Sequence, residues 1–172
     1  FLILLPWLAL AQAGGGGVNM VPDPSFEVET AGGVAAWTPR AWQGAEQADY
    51  LTESPGHGGG RCISIRSERG ADAAWTAVVS VRPDTLYRLS GWIRTRDVRG
   101  AVGALFNLQN LQHVRTPAVR GTSDWTRVTT VFHSGSETAV EVNCLFGGWG
   151  RATGKAWFDD VEIREIPGTA KP

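Results

Sequence analysis

The 172-residue sequence lacks a surplus of basic charge: sixteen Lys and Arg stand against seventeen Asp and Glu, a formal net charge of −1. Nucleic-acid binders draw most of their affinity from neutralising phosphates, so this balance argues against that class of partner. The one arginine-rich stretch, Arg88, Arg94, Arg96 and Arg99, is interleaved with apolar residues and reads as the solvated face of a strand. Cysteine is scarce, with two residues, no CxxC spacing and only three histidines, which argues against a zinc centre. No eleven-residue window carries a helical apolar stripe, so a helical bundle is excluded. There is no internal repeat, no Ser/His/Asp spacing, no glycine-rich phosphate loop and no metalloprotease motif.

The one long apolar run, Phe1 to Leu10, is too short for a bilayer span, which needs about 20 residues. Followed by Ala11-Gln12-Ala13, it reads as the end of a secretory signal with a small-x-small cleavage pattern. An initiator Met and a basic leader do not precede it, so residues 1–13 are expected to be a signal truncated at its start. Gly14 to Gly17 then form a glycine linker, and the localisation expected is secreted, either extracellular or periplasmic. In that compartment Cys62 and Cys144 are expected to form a disulfide. Closing a loop of roughly 80 residues would contribute about 4–5 kcal/mol on a chain-entropy argument.

What is abundant points to short strands and turns. The chain has 22 Gly, 9 Pro and 8 Trp against 2 Tyr and 1 Met. From Val18 onward the apolar residues have period two, broken every eight to twelve residues by turn chemistry such as Ser54-Pro55-Gly56, Arg82-Pro83-Asp84 and Gly147-Gly148. The pattern predicts strands over Ser25–Glu29, Ala48–Glu53, Cys62–Ser67, Trp75–Val81, Leu86–Thr95, Val102–Gln109, Thr126–His133, Ala139–Phe146 and Ala156–Ile166. So many strands in one domain require two stacked sheets. The fold class expected is therefore all-β, a two-sheet antiparallel β-sandwich of jelly-roll connectivity over residues 18–166. Residues 167–172 read as a tail or linker to a further domain.

Four segments carry a resemblance. Asn19-Met20-Val21-Pro22-Asp23-Pro24-Ser25-Phe26-Glu27 resembles the opening strand of carbohydrate-binding modules of families four, nine and twenty-two. Gly154-Lys155-Ala156-Trp157-Phe158-Asp159-Asp160-Val161-Glu162-Ile163 resembles their closing strand. Ser54-Pro55-Gly56-His57-Gly58-Gly59-Gly60 and Tyr87-Arg88-Leu89-Ser90-Gly91-Trp92-Ile93-Arg94-Thr95 lie between them in the same order. The resemblance implies a galactose-binding-like jelly roll, a polysaccharide or oligosaccharide partner and no chemistry of its own. It also implies a structural calcium ion held by Glu27, Asp159 and a backbone carbonyl near Ser25, a set of hard oxygen donors that suits this ion.

Sugar recognition needs flat apolar platforms beside planar hydrogen-bonding groups, because a pyranose shows C–H bonds on its face and hydroxyls at its edge. Trp75, Trp92 and Trp149 are the expected platforms, each with core packing as its alternative. Trp42 is either a rim residue or a lid on the core. Asn107 and Gln109 share one face of their strand, opposite Phe106 and Leu108, and are expected either to line a groove or to bridge to loops. Trp37, Trp125 and Trp157 are expected to be structural. An adhesion, assembly or spacer sandwich is the main alternative. A lyase or glycosidase is the weaker one, since candidates such as Asp72, Glu141 and the adjacent Asp159-Asp160 pair do not make a spaced carboxylate couple.

Overall fold

A computed structural model of the protein describes residues 17–168. The signal expected at 1–13 and most of the glycine linker lie outside these residues. The chain is all-β: β1 (Glu29–Thr30), β2 (Gly33–Val34), β3 (Thr38–Gln43), a 3-10 turn (Ala45–Gln47), β4 (Asp49–Glu53), β5 (Cys62–Ser80), β6 (Leu86–Arg99), β7 (Gly103–Leu108), β8 (Gly121–His133), β9 (Ala139–Gly147) and β10 (Ala152–Glu165). All pairings are antiparallel, and β1 with β2 forms a separate small ladder.

The organising element is β5, a single strand of 19 residues. Its first part pairs with β4 through Arg66 and with β10 through Ser67 and, past a bulge, at Ala71, while its later part, from Asp72, pairs with β3 and β9. Between the two, Gly70 takes φ of +105° and donates its N–H to Ser67 Oγ at 3.0 Å. Glycine reaches this backbone region without steric cost, and the strand turns from one layer into the other there, as corners of sandwiches do. One layer is β4-β5-β10-β6-β8 and the other β3-β5-β9-β7.

The core lies between them. Ile63, Ile65, Ala71, Ala73, Trp75, Ala77 and Val79 of β5 all point into it. Phe106 of β7 and Phe158 of β10 meet across the layers with ring centroids 5.8 Å apart. Opposite Phe106 the layers approach so closely that a Cβ at Gly91 would lie 2.5 Å from its Cζ.

The sandwich agrees with the sequence reading, with local differences that include the unexpected β1–β2 ladder. Two expected strands are halves of β5. The strand expected over Ser25–Glu29 is ordered coil up to its last residue. The edge strand β3 was unpredicted, because Pro39 lies within it; proline removes a ladder donor and is tolerated only at such an edge.

The expected disulfide is not present: Cys62 and Cys144 are both free and buried. Cys144 lies in the interlayer core with Trp75 and Phe106, whereas Cys62 has the outward parity of Ser64 and Arg66 on β5. A sheet therefore separates the two thiols. Burial pushes the Cys62 thiol up to about 12 and raises that of Cys144 as well.

Candidate functional site

The outer face of the four-stranded layer carries a groove of about 190 Å3, lined by Trp42, Asp72, Asn107, Gln109, Gln112, Leu145, Gly148 and Trp149. Strand alternation builds it. On β7, Phe106 and Leu108 face the core and Asn107 faces out; on β9, Val142 and Cys144 face the core and Asn143 and Leu145 face out. The register then sets Asn107, Asn143 and Thr76 side by side across three strands.

These three residues form a polar row. Thr76 Oγ1 donates to Asn143 Oδ1 at 2.8 Å, and Asn143 Nδ2 donates to Asn107 Oδ1 at 3.1 Å and to Gln109 Oε1 at 3.3 Å. Asn143 is fully buried, and its bonds discharge the cost of placing an amide there. Through its carbonyl oxygens each outer amide is oriented, which turns the Nδ2 of Asn107 and the Nε2 of Gln109 towards other acceptors. Beside this row, Leu105, Leu145 and Ala74 make a small apolar floor.

The wall is the loop Gly147-Gly148-Trp149-Gly150. Asp72, only 4% exposed, accepts the N–H of Gly148 at 3.0 Å and of Gly150 at 3.1 Å. Burial raises the carboxyl above its ordinary range, and the loop N–H groups oppose that rise. Gly147, Gly148 and Trp149 all take positive φ, Trp149 at +55°. Such a conformation is costly for a tryptophan and needs surrounding structure to hold it; the Asp72 bonds supply that. The Trp149 ring is thereby left 54% exposed, with the Arg115 guanidinium carbon 5.3 Å from its centroid. Trp42, 40% exposed, stands at the rim under Arg40, whose guanidinium carbon is 5.2 Å from its ring.

Of the six expected sugar-binding residues, four meet here: Trp42, Asn107, Gln109 and Trp149. Two do not. Trp75 is 6% exposed in the core, edge-on to Tyr50, with its Nε1 donating to Ser64 O at 3.2 Å. Small neighbours Ala73 and Ala77 leave room for its ring on the inward side of β5. Trp92 projects from the outer face of the other layer, where the His57 ring stacks on it at 3.8 Å. Sequence reasoning missed Asn143, Asp72, Gln112 and Arg115 as parts of the site. Asn143 has the outward parity of Asn107 and was within reach of the alternation; Gln112 and Arg115 come from a loop that carries no such signal.

The expected calcium ligands sit at another place, around the loop Gly56–Arg61. Glu27 Oε1 accepts the N–H of Arg61 at 2.7 Å, and Asp159 Oδ2 accepts that of His57 at 2.7 Å. A Cβ at Gly60 or Gly56 would collide with Glu27 and Asp159 respectively, so the bare loop backbone packs against both carboxylates. Asp159 is 2% exposed; burial, with the neighbouring Asp160 charge adding to it, raises its carboxyl to about 7. A buried carboxylate short of positive charge, beside a second carboxylate and a glycine-rich backbone, suits a hard cation. Among the described residues no three His, Cys, Asp or Glu side chains are arranged to hold a metal, so the remaining donors would be main-chain carbonyls. Ser25 bonds by its side chain, Oγ donating to Asp160 Oδ1 at 2.6 Å.

Solved structures with this architecture include TmCBM61 in complex with β-1,4-galactotriose, at a TM-score of 0.58 and 15% identity, covering 87% of this chain and all of that one. The CBM22-1 xylan-binding domain of Paenibacillus barcinonensis Xyn10C superposes at 0.53 with 14% identity, covering 84% of this chain and 93% of that one. The chain shares its fold with these two carbohydrate-binding modules. No protein-family model matches the sequence. Among curated proteins, the tRNA(Glu)-specific nuclease WapA of Bacillus subtilis subsp. natto (strain BEST195) is 28% identical over 170 residues, which cover 86% of this chain. The match spans 7% of that relative's length. Among the described residues, no helix is long and apolar enough to cross a membrane.

Proposed function

We propose that the chain is a non-catalytic carbohydrate-binding module that holds a polysaccharide in the groove of the four-stranded layer. Trp149 stacks on the apolar face of one sugar ring and Trp42 closes the rim. Asn107 Nδ2 and Gln109 Nε2 donate to hydroxyl oxygens at the edge. The observation that carries this reading is the meeting of two half-exposed tryptophans with a hydrogen-bonded amide row in one groove. Stacking supplies apolar contact and the amides supply direction, the combination a sugar requires.

The same groove supports a binding role over hydrolysis. Glycosidases commonly need two carboxyl groups about 5–10 Å apart, and the lining has one, Asp72, whose two oxygens already serve Gly148 and Gly150. The proposal includes export of the chain, on the strength of the apolar Phe1–Leu10 segment and Ala11-Gln12-Ala13. It also includes a structural calcium ion held by Glu27 and Asp159, tying the opening segment to β10 through the Gly56–Arg61 loop. Within a longer protein, such a module raises the local concentration of its attached partner at the glycan.

The test is native affinity electrophoresis of the full chain through gels containing xylan, mannan, mixed-linkage β-glucan or β-1,4-galactan. Retardation by at least one of these neutral glycans, lost in Trp149→Ala, is the expected result. Equal mobility in every gel would remove the reading and favour an adhesion or spacer role.

A further inference from the structure

The outer face of the five-stranded layer carries an array of cations that the groove does not use. Along β6, Arg88, Arg94 and Arg96 point outward and are exposed, on the same side as Trp92. Arg94 stands opposite Trp157 of β10, Arg96 opposite Lys155, and the exposed Arg127 of β8 opposite Trp92. The guanidinium carbons of Arg94 and Arg96 lie 5.0 and 5.7 Å from the Trp157 ring centroid, and Lys155 Nζ lies 4.6 Å from it. Three positive groups are gathered on one indole.

Only one of the three has a carboxylate. Lys155, 7% exposed, pairs with Glu53 at 2.7 Å. On the same face Arg66 pairs with Asp49 at 2.7 Å and Arg164 with Glu162 at 2.9 Å. Among the described residues Arg88, Arg94, Arg96 and Arg127 have no such partner. Like charges directly opposite one another across a ladder destabilise it, and Arg96 faces Lys155. Cation–π attraction to Trp157 offsets part of that cost and restricts the guanidinium groups. What results is a pre-oriented set of planar forks, Arg94 and Arg96 being about 7 Å apart along the strand, and such forks match carboxylates two bonds at a time.

We propose that this face is a second, separate binding site for an acidic, carboxylate-bearing polysaccharide, with Arg94 and Arg96 as its centre, Arg88 extending it along β6 and Arg127 extending it onto β8. A single-stranded nucleic acid fits less well. Its bases need open aromatic faces, whereas Trp157 is covered by cations and Trp92 by His57. The inference stands apart from the groove reading, since the two faces are different layers of the sandwich.

The experiment compares the full chain, R94Q/R96Q and Trp149→Ala in native gels containing polygalacturonate, dextran sulfate or poly(U) RNA at matched salt. Retardation of the full chain by polygalacturonate is expected, weakening as salt is raised. In R94Q/R96Q the affinity falls at least about tenfold, the ratio carried by one charge-assisted hydrogen bond, while Trp149→Ala keeps it. The melting temperature of R94Q/R96Q equals or exceeds that of the parent chain, since a like-charge contact is relieved. Absence of retardation by polygalacturonate, or unchanged retardation of R94Q/R96Q, overturns the proposal. So does equal or stronger retardation by dextran sulfate or poly(U), which would mark an unselective polyanion surface.

Discussion

Asp72 Oδ1 accepts the backbone N–H of Gly148 at 3.0 Å from a position that is almost closed to solvent. Its other oxygen takes Gly150, so one carboxylate holds both sides of Trp149. In Asp72→Asn the amide would turn an NH2 towards one of these N–H groups. The variant is expected to lose about 1–3 kcal/mol, the cost of an unsatisfied buried group. It should also release Trp149 from its left-handed backbone. Thermal unfolding reads the first effect, and a shift in tryptophan emission with weaker glycan retardation reads the second.

The same carboxyl gives a pH dependence of known sign. Burial raises the Asp72 pKa in the folded state above its ordinary value. Across the window between those two values the folded chain keeps a proton that the unfolded chain releases. This group's contribution to stability is therefore present below the ordinary value and is lost as pH rises through the folded one. Glycan affinity should move oppositely, rising through the same window, because only the ionised form offers acceptors to both Gly148 and Gly150. Melting curves and affinity gels across the acidic range check both slopes, and Asp72→Asn should flatten both differences.

Trp149 and Trp75 should respond in opposite ways to truncation. Trp149→Ala removes an exposed ring and is expected to stay within about 0.5 kcal/mol of the parent stability, as surface changes do, while abolishing retardation by the neutral glycan. Trp75→Ala empties part of the core and should cost about 3–5 kcal/mol. Urea unfolding of the two variants beside affinity gels separates a platform from a core residue.

The contrast between these two tryptophans marks how far the sequence could be read. Alternation correctly put Asn107 and Gln109 opposite Phe106 and Leu108, and the glycines around Trp149 correctly indicated an exposed ring. The platform that the resemblance implies at Trp75 is not formed, because the ring shares the inward face of Ala77 and Val79. Across the Gly70 bend, Ile63 and Ile65 of the same strand also point inward. Trp92 does project outward, but alternation gives a side of a strand and not which layer the strand joins. Cys62 and Cys144 failed for the same reason, since pairing depends on facing directions across layers that a count of cysteines does not contain. Asp72 could not be recognised as the anchor of the Trp149 loop, 76 residues away in the chain, because that contact exists only after β5 and β9 have paired.

Asn143 is the hub of the polar row, and its removal should be felt at three neighbours. Asn143→Leu leaves Thr76, Asn107 and Gln109 without the partner that orients them. Asn107 is only 4% exposed and has little water to turn to. A loss of about 1–3 kcal/mol is expected from the orphaned groups, with a larger fall in glycan affinity than Gln109→Ala produces. Combining Asn143→Leu with Asn107→Leu should cost less than the sum of the two, as coupled neighbours do. A double-mutant cycle on melting and affinity data measures this.

Calcium provides the last prediction. Glu27 and Asp159 come from opposite ends of the sequence and grip the same loop through Arg61 and His57. A cation between them would bind the folded chain and not the unfolded one. At a hundredfold excess over Kd it adds about 2.7 kcal/mol, or roughly 5–10 °C in a domain of this size. Chelation should lower the melting temperature by that order, and added calcium should restore it. Magnesium should restore less, since it demands octahedral geometry and keeps its waters. Glu27→Gln and Asp159→Asn should each remove the calcium-dependent rise. In the chelated state Asp159→Asn should cost little beyond its two backbone bonds, because the carboxylate it replaces is already disfavoured by burial. Identical melting with and without calcium would leave Asp159 as a cap for the N–H groups of His57 and Asp160, and the closure of the two chain ends would then rest on hydrogen bonds alone.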